Sequence, residues 1–203
     1  MGDPEKSGLI YTIGHSNHTL EHFLKLLQTY QIEVLVDIRS HPYSGYSPQF
    51  NAPALQATVI AAGIRYLFLG KELGGQPQGE QFYDADGHVL YSRVADSPFF
   101  QSAISKLEDE VLQSRMALMC SEENPAECHR RLLVGRVLAE RGIEVAHIRG
   151  EGRVQTEEEL HQEEAADRQG HLQLSLFDTS EVMEWKSTQS VLEKRPPRHS
   201  SER

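Results

Sequence analysis

The sequence predicts an α/β fold: a single three-layer α/β/α domain on a mainly parallel sheet of about five strands, with a polar C-terminal tail. Three observations carry that expectation. Apolar stretches alternate with amphipathic ones through the first 150 residues, the order that builds a parallel sheet with right-handed crossovers. The clearest strand, IEVLVDIRS, is apolar nearly throughout, as a strand covered on both faces must be. Beyond Gly150, the stretches TEEELHQEEAADRQG and EKRPPRHSSER are charged and have little to bury.

GLIYTIGHS opens the domain as a short buried strand. TLEHFLKLLQTY is a helix capped by Thr19, with Leu20, Phe23, Leu24 and Leu27 on one stripe. IEVLVDIRS is the second strand, NAPALQATVIAAG a helix stopped by Gly63, and IRYLFLG the third strand. Periodicity then fails through KELGGQPQGEQFYDADGH, which reads as a loop or lid, with Gly74 and Gly75 suited to a turn or flexible cover. SPFFQSAISKLEDEVLQS is a helix with Ser97 as cap and Pro98 at its first position. RMALMC is strand four, NPAECHRRLLVGRVLAERG a helix capped by Asn124, and IEVAHIRG strand five.

With 203 residues, 38% of them hydrophobic, the chain can bury one real core and lacks the length for two full domains. Residues 1–150 are therefore assigned to the α/β domain and 151–203 to an acidic, largely flexible tail. Residues 1–150 carry 13 Lys and Arg against 18 Asp and Glu, and residues 151–203 carry 7 against 12, so the charge of −10 divides evenly. Non-specific duplex binding runs on basic residues neutralising phosphates, which argues against a broad DNA-coating surface but leaves room for a local basic site. The start, MGDPEKSG, has neither a secretory pattern nor a myristoylation pattern, and no apolar run approaches the ~20 residues of a membrane span. The expectation is a soluble, cytoplasmic protein without a membrane partner, in which two cysteines are reactive or metal-binding, or simply buried, rather than a disulfide staple.

Ligands of open α/β sheets sit beyond the carboxyl ends of the strands. The residues there fall in GHSNH, DIRSHPYS, GKELGG and CSEENPAECHR, which brings His15, Asp37, Arg39, Lys71, Cys120, Cys128, His129 and Arg130 to one rim. Cys128, read as lying in a first helical turn beside His129 and Arg130, is placed where a thiolate or a bound anion is stabilised. On this reading Cys128 is nucleophile or ligand, His129 a proton carrier and Arg130 an anion clamp, with Cys120 alongside and Arg39 and Lys71 holding phosphate. A phosphatase loop is excluded, since six residues after Cys120 stands Ala126 rather than Arg. Cys120, Cys128, His129 and His15 offer ligands for zinc or iron, yet the eight-residue spacing is not a zinc knuckle, so no metal and no cofactor is assigned. Asp37 and Arg39, two apart on a strand, suit a structural ion pair as well as a substrate site.

TIGHSN, VDIRSHPYS, LGKELGG and CSEENPAECHR, in that order, resemble the family known as domain of unknown function 488, over roughly residues 9–150. The resemblance implies a single α/β domain of bacterial or archaeal type with His15, Asp37, Arg39, Cys120, Glu122, Cys128, His129 and Arg130 at signature positions. It implies no reaction. In the tail, Gln173, Leu174, Ser175, Leu176 and Phe177 are similar to the pentapeptide that enters the peptide pocket of the bacterial sliding clamp. The alternation of Leu172, Leu174 and Leu176 suits an edge strand as well.

Two functions remain open at this point. One is an enzyme on nucleic acid or nucleotide-type substrates, with a Cys/His/Arg thiol or anion site, recruited to the clamp in DNA repair or replication. The other is a non-catalytic adaptor or ligand-sensing module that binds the clamp through its tail.

Overall fold

The computed structural model describes residues 8–171 and 184–191. Five parallel strands alternate with helices as the sequence predicts: β1 (Leu9–Gly14), β2 (Val34–Asp37), β3 (Arg65–Phe68), β4 (Met116–Cys120) and β5 (Glu144–Ile148). A sixth strand, β6 (Val154–Thr156), pairs antiparallel with β5 and completes the order β3-β2-β4-β1-β5-β6. The chain places β4 last between its neighbours, so the ends of β1, β2 and β4 lie side by side, with Gly14 in register with Cys120 and Asp37 with Met119.

Alternate residues of each strand feed two cores, which makes the domain three-layered. Leu35, Ala117 and Met119 face α1 (Leu20–Thr29) and α2 (Ala52–Ala61), packing on Phe23, Leu27, Leu55 and Val59. Val34, Val36, Met116 and Leu118 face the other way, toward Phe100, Ile104 and Leu107 of α5 (Pro98–Val111) and toward Val134 and Leu138. Thr19 caps α1 by accepting from the His22 amide at 3.2 Å, and Gly63, at φ +80°, turns the chain after α2.

The structure departs from the sequence reading in three places. The 71–88 stretch is a loop anchored to the core rather than a loose lid, because α3 (Gly70–Leu73) and a 3₁₀ turn at Glu80–Phe82 seat Leu73 and Phe82 there, and α4 (Tyr91–Ala95) follows it. The helix expected from Asn124 begins instead at His129: residues 124–128 form a turn, and a π-helical stretch (Arg130–Gly135) leads into α6 (Arg136–Glu140). The fold also continues beyond Gly150 through β6 and α7 (Glu157–His171), with Gln155 and Leu160 buried, and residues 184–191 return to pack on it. No helix among the described residues is long and apolar enough to cross a membrane.

Candidate active site: a thiol pair at the strand ends

Cys120 ends β4 and Cys128 closes the turn that follows, its carbonyl accepting from the Leu132 amide at 3.0 Å as the helix begins. Both side chains are buried, at 6% and 1% exposure. His129, the first helical residue, turns its ring back between them: Nδ1 lies 3.8 Å from the Cys120 sulfur and 3.9 Å from that of Cys128. Its Nε2–H donates to the Ile38 carbonyl at 3.2 Å, which fixes the ring and leaves Nδ1 to face the sulfurs. Gly75 makes room for this ring, since a Cβ there would stand 2.8 Å from Nδ1.

This arrangement divides the two thiols. The Cys128 thiol donates to Cys120 and, with the neighbouring His129 and Arg130, outweighs the cost of burial, so Cys120 is held well below the ordinary thiol range. Burial and the Cys120 charge push Cys128 well above that range. Burial alone would lower His129, but the Cys120 sulfur and the Ile38 carbonyl raise it. The pair is therefore polarised: Cys120 is the thiol drawn toward the thiolate and Cys128 the one held as the thiol, with His129 drawn toward the imidazolium beside them. The direction runs opposite to the sequence expectation, favouring the charged form at Cys120 rather than at Cys128.

Arg130 does not serve as an anion clamp. It is fully buried, with Nη1 donating to the Glu122 carbonyl, Nη2 to the Glu123 carbonyl at 2.5 Å, and Nε to the Thr12 hydroxyl at 3.2 Å. Thr12 lies 2.8 Å from Nδ1 of buried His147, whose Nε2 meets Glu157 at 2.7 Å. The guanidinium thus buttresses the 121–124 loop and supplies positive charge behind the sulfurs.

Arg39 is likewise held by the protein. Its Nε and Nη2 donate to Asp37 at 2.9 and 2.6 Å, and Tyr66 donates to the same carboxylate at 2.7 Å. Nη1 donates at 3.1 Å to Nε2 of His15, whose Nδ1–H donates to the Ser16 carbonyl at 2.8 Å. Burial lowers His15, which is stacked on Phe50 with centroids 4.3 Å apart. Asp37 and Arg39 are thus an ion pair inside the structure, and His15 orients Arg39. The ligand atoms of Cys120, Cys128 and His129 lie within 4.8 Å of one another, close enough to share a soft ion, but both ring nitrogens of His15 are committed elsewhere.

In front of His129 opens a cleft of about 610 Å³. It is lined by Arg39, Ser40 and Gln76, by Tyr91 and the 121–127 loop, and by residues 187–191. Glu122 reaches this cleft with its exposed side chain, whereas Lys71 is exposed on α3 and does not line it. Gln173, Leu174, Ser175, Leu176 and Phe177 lie outside the described residues. Sequence reasoning missed Tyr66, Tyr91 and the 187–191 wall. The signal for the wall was Trp185, the one tryptophan of the chain, standing in the charged tail.

A family model, described as domain of unknown function DUF488, matches residues 19–137, more than half of the chain. No curated protein and no solved structure matches.

Proposed function

We propose, for a chain that belongs to the family described as domain of unknown function DUF488, that the rim is the active site of a thiol-dependent enzyme acting on nucleic acid or a nucleotide-type substrate. One observation carries this reading: a single imidazole nitrogen, held by its ring partner, stands 3.8 and 3.9 Å from two buried sulfurs beside a cleft. Cys120 is the nucleophile. Its sulfur bonds to an electrophilic carbon of the ligand, and the leaving group departs with the bonding electrons, taking the proton from Nδ1 of His129. Water then displaces the sulfur from that carbon, giving one proton to Nδ1 of His129, which returns the thiolate and the protonated ring. Cys128 donates to the Cys120 sulfur at rest, and His15 and Asp37 hold Arg39 at the cleft wall.

The pentapeptide at 173–177 supports recruitment to a sliding clamp, which raises the local concentration of DNA around a chain whose net charge is −10. Alanine at Leu176 and Phe177 then abolishes clamp binding, and an intact chain that binds no clamp removes this part of the reading. The depth at which both sulfurs lie favours a second reading, a ligand-sensing adaptor bound to the clamp. Cys120→Ser separates the two, because an adaptor keeps its phenotype with this change and loses it when residues 173–177 are deleted.

Alkylation of Cys120 against pH, followed by peptide mass analysis, tests the enzyme reading directly. The rate is expected to rise with a midpoint well below the ~8.5 of free cysteine, and to shift upward in Cys128→Ser. Thiols that titrate at the ordinary value, or never react, overturn it.

A further inference from the structure

Residues 184–191 dock on the domain through a dense set of contacts. The Trp185 indole donates to the Leu132 carbonyl in the π-helical stretch at 2.9 Å. Its ring stands edge-on to Tyr91 and lies 4.3 Å beneath the Arg136 guanidinium. Lys186 pairs with Asp84 at 2.7 Å, and the Ser187 amide donates to the Val89 carbonyl at 2.9 Å. Gln189 reaches across to Glu127 at 3.2 Å. The segment thus grips both the helix that presents His129 and the strand-like stretch before α4. Beyond the docking point, its residues 187–191 line the cleft.

Among the described residues, the charges facing this cleft do not suit an anion. Arg39 is neutralised by Asp37 in a buried pair, and Arg130 lies behind the sulfurs with its donors on backbone carbonyls and Thr12. Lys71 is elsewhere. His129 has its ring nitrogens turned to the Cys120 sulfur and the Ile38 carbonyl. His41 is exposed at the mouth. Against these stand two exposed carboxylates, Glu122 and Glu127, the second held by Gln189 of the returning segment. The remaining polar lining is amide and hydroxyl: Gln76 and Asn124 face Ser187, Thr188 and Gln189.

From this placement we propose that the 184–191 segment is the specificity wall of the site, which together with Glu122 and Glu127 admits an uncharged, hydrogen-bonding ligand and rejects a phosphate. The inference rests on the enzyme reading above and narrows its substrate: the part that reaches the thiols is a nucleobase or a comparable uncharged heterocycle, and any phosphates stay outside the mouth. A base turned out of a nucleic acid strand enters a pocket in that way. The cleft volume falls in the range of sites for such ligands.

The test uses two small thiol reagents of similar size, neutral iodoacetamide and anionic iodoacetate, on the full-length chain, each rate normalised to glutathione. Cys120 is expected to favour the neutral reagent by about tenfold or more at low salt, and the preference shrinks as salt screens the carboxylates. Glu127→Gln reduces the preference, and Trp185→Ala, which undocks the wall, brings it close to the glutathione ratio while both rates rise. Gln189→Ala, which leaves the tryptophan anchor in place, reduces it less than Trp185→Ala and separates loss of the wall from general unfolding.

A preference equal to that of glutathione overturns the proposal, as does a preference unchanged in all three variants. Thiols that stay unreactive in Trp185→Ala also overturn it. The enzyme reading fails separately: an ordinary midpoint for Cys120, combined with a preference that still depends on the wall, removes the thiolate and leaves the wall standing.

Discussion

The contact between the two sulfurs, with one imidazole beside it, sets the direction in which each thiol shifts. The sequence placed Cys120, Cys128 and His129 together, but it could not say which thiol donates, because that depends on how the two sulfurs meet and how deeply each is buried. Neighbouring residues on a regular helix diverge by about 100°, so an unbroken helix from Asn124 would separate Cys128 from His129. Starting the helix at His129 instead lets its ring fold back toward both sulfurs. Gly75 is the other half of this arrangement, and the sequence showed it only as part of a turn. In Gly75→Ala, the new Cβ displaces the ring from Nδ1 outward, so the Cys120 midpoint is expected to move up toward the value of a free thiol. Crowding in a packed site costs about 1–3 kcal/mol, so the melting temperature falls as well. A midpoint unchanged in Gly75→Ala would show that the ring does not set the thiol's charge.

At the scale of elements, the loop after β4 is held from behind by a side chain that adjacency in sequence made look like a ligand. Arg130 follows Cys128 and His129 in the motif, and nothing in one dimension shows that its side chain runs inward to the Glu122 and Glu123 carbonyls. Burial is what converts it from a binding group into a buttress. Lysine cannot reproduce the planar fork that reaches two carbonyls and the Thr12 hydroxyl at once. Arg130→Lys is therefore expected to lower stability by about 3 kcal/mol in urea unfolding, in line with the cost of disrupting a buried charge network. Amide exchange in residues 121–124 should quicken more than in β1 or β5. A variant as stable as the parent would mean that water or a shifted loop takes over these bonds. The alternation of strands and helices was legible because buried parallel strands are apolar on both faces. Residues 154–156 were not, since a strand of three residues beside a charged helix carries too little period to read.

For the whole molecule, the same ambiguity hid the true extent of the domain. The acidic stretch after Gly150 reads as solvated, yet Arg131 binds Glu157 at 2.8 Å and Glu164 at 2.7 Å, so part of that charge is folded against the sheet. A composition count cannot tell paired carboxylates from free ones. Glu123 shows what this pairing does to stability. It joins the loop after β4 to the end of β5, taking Arg149 Nε at 2.9 Å and Nη2 at 2.7 Å and the Gly150 amide at 3.0 Å. The Arg149 bond, against the opposing effect of burial and with help from that amide, lowers its pKa to about 2. The folded state therefore binds the proton less readily than the unfolded chain, whose glutamates titrate near ~4.3. Its stabilisation is present above that value and is lost as pH falls from about 4.3 to about 2. Glu123→Gln is expected to be less stable by about 2 kcal/mol at pH 7, with partial exposure of the carboxylate keeping the figure below the full shift. The gap between variant and parent should close as the pH approaches 2, because there both side chains are uncharged. Urea unfolding at pH 7, 4 and 2.5 measures that gap. A difference that stays constant across the three would assign Glu123 to packing rather than to charge.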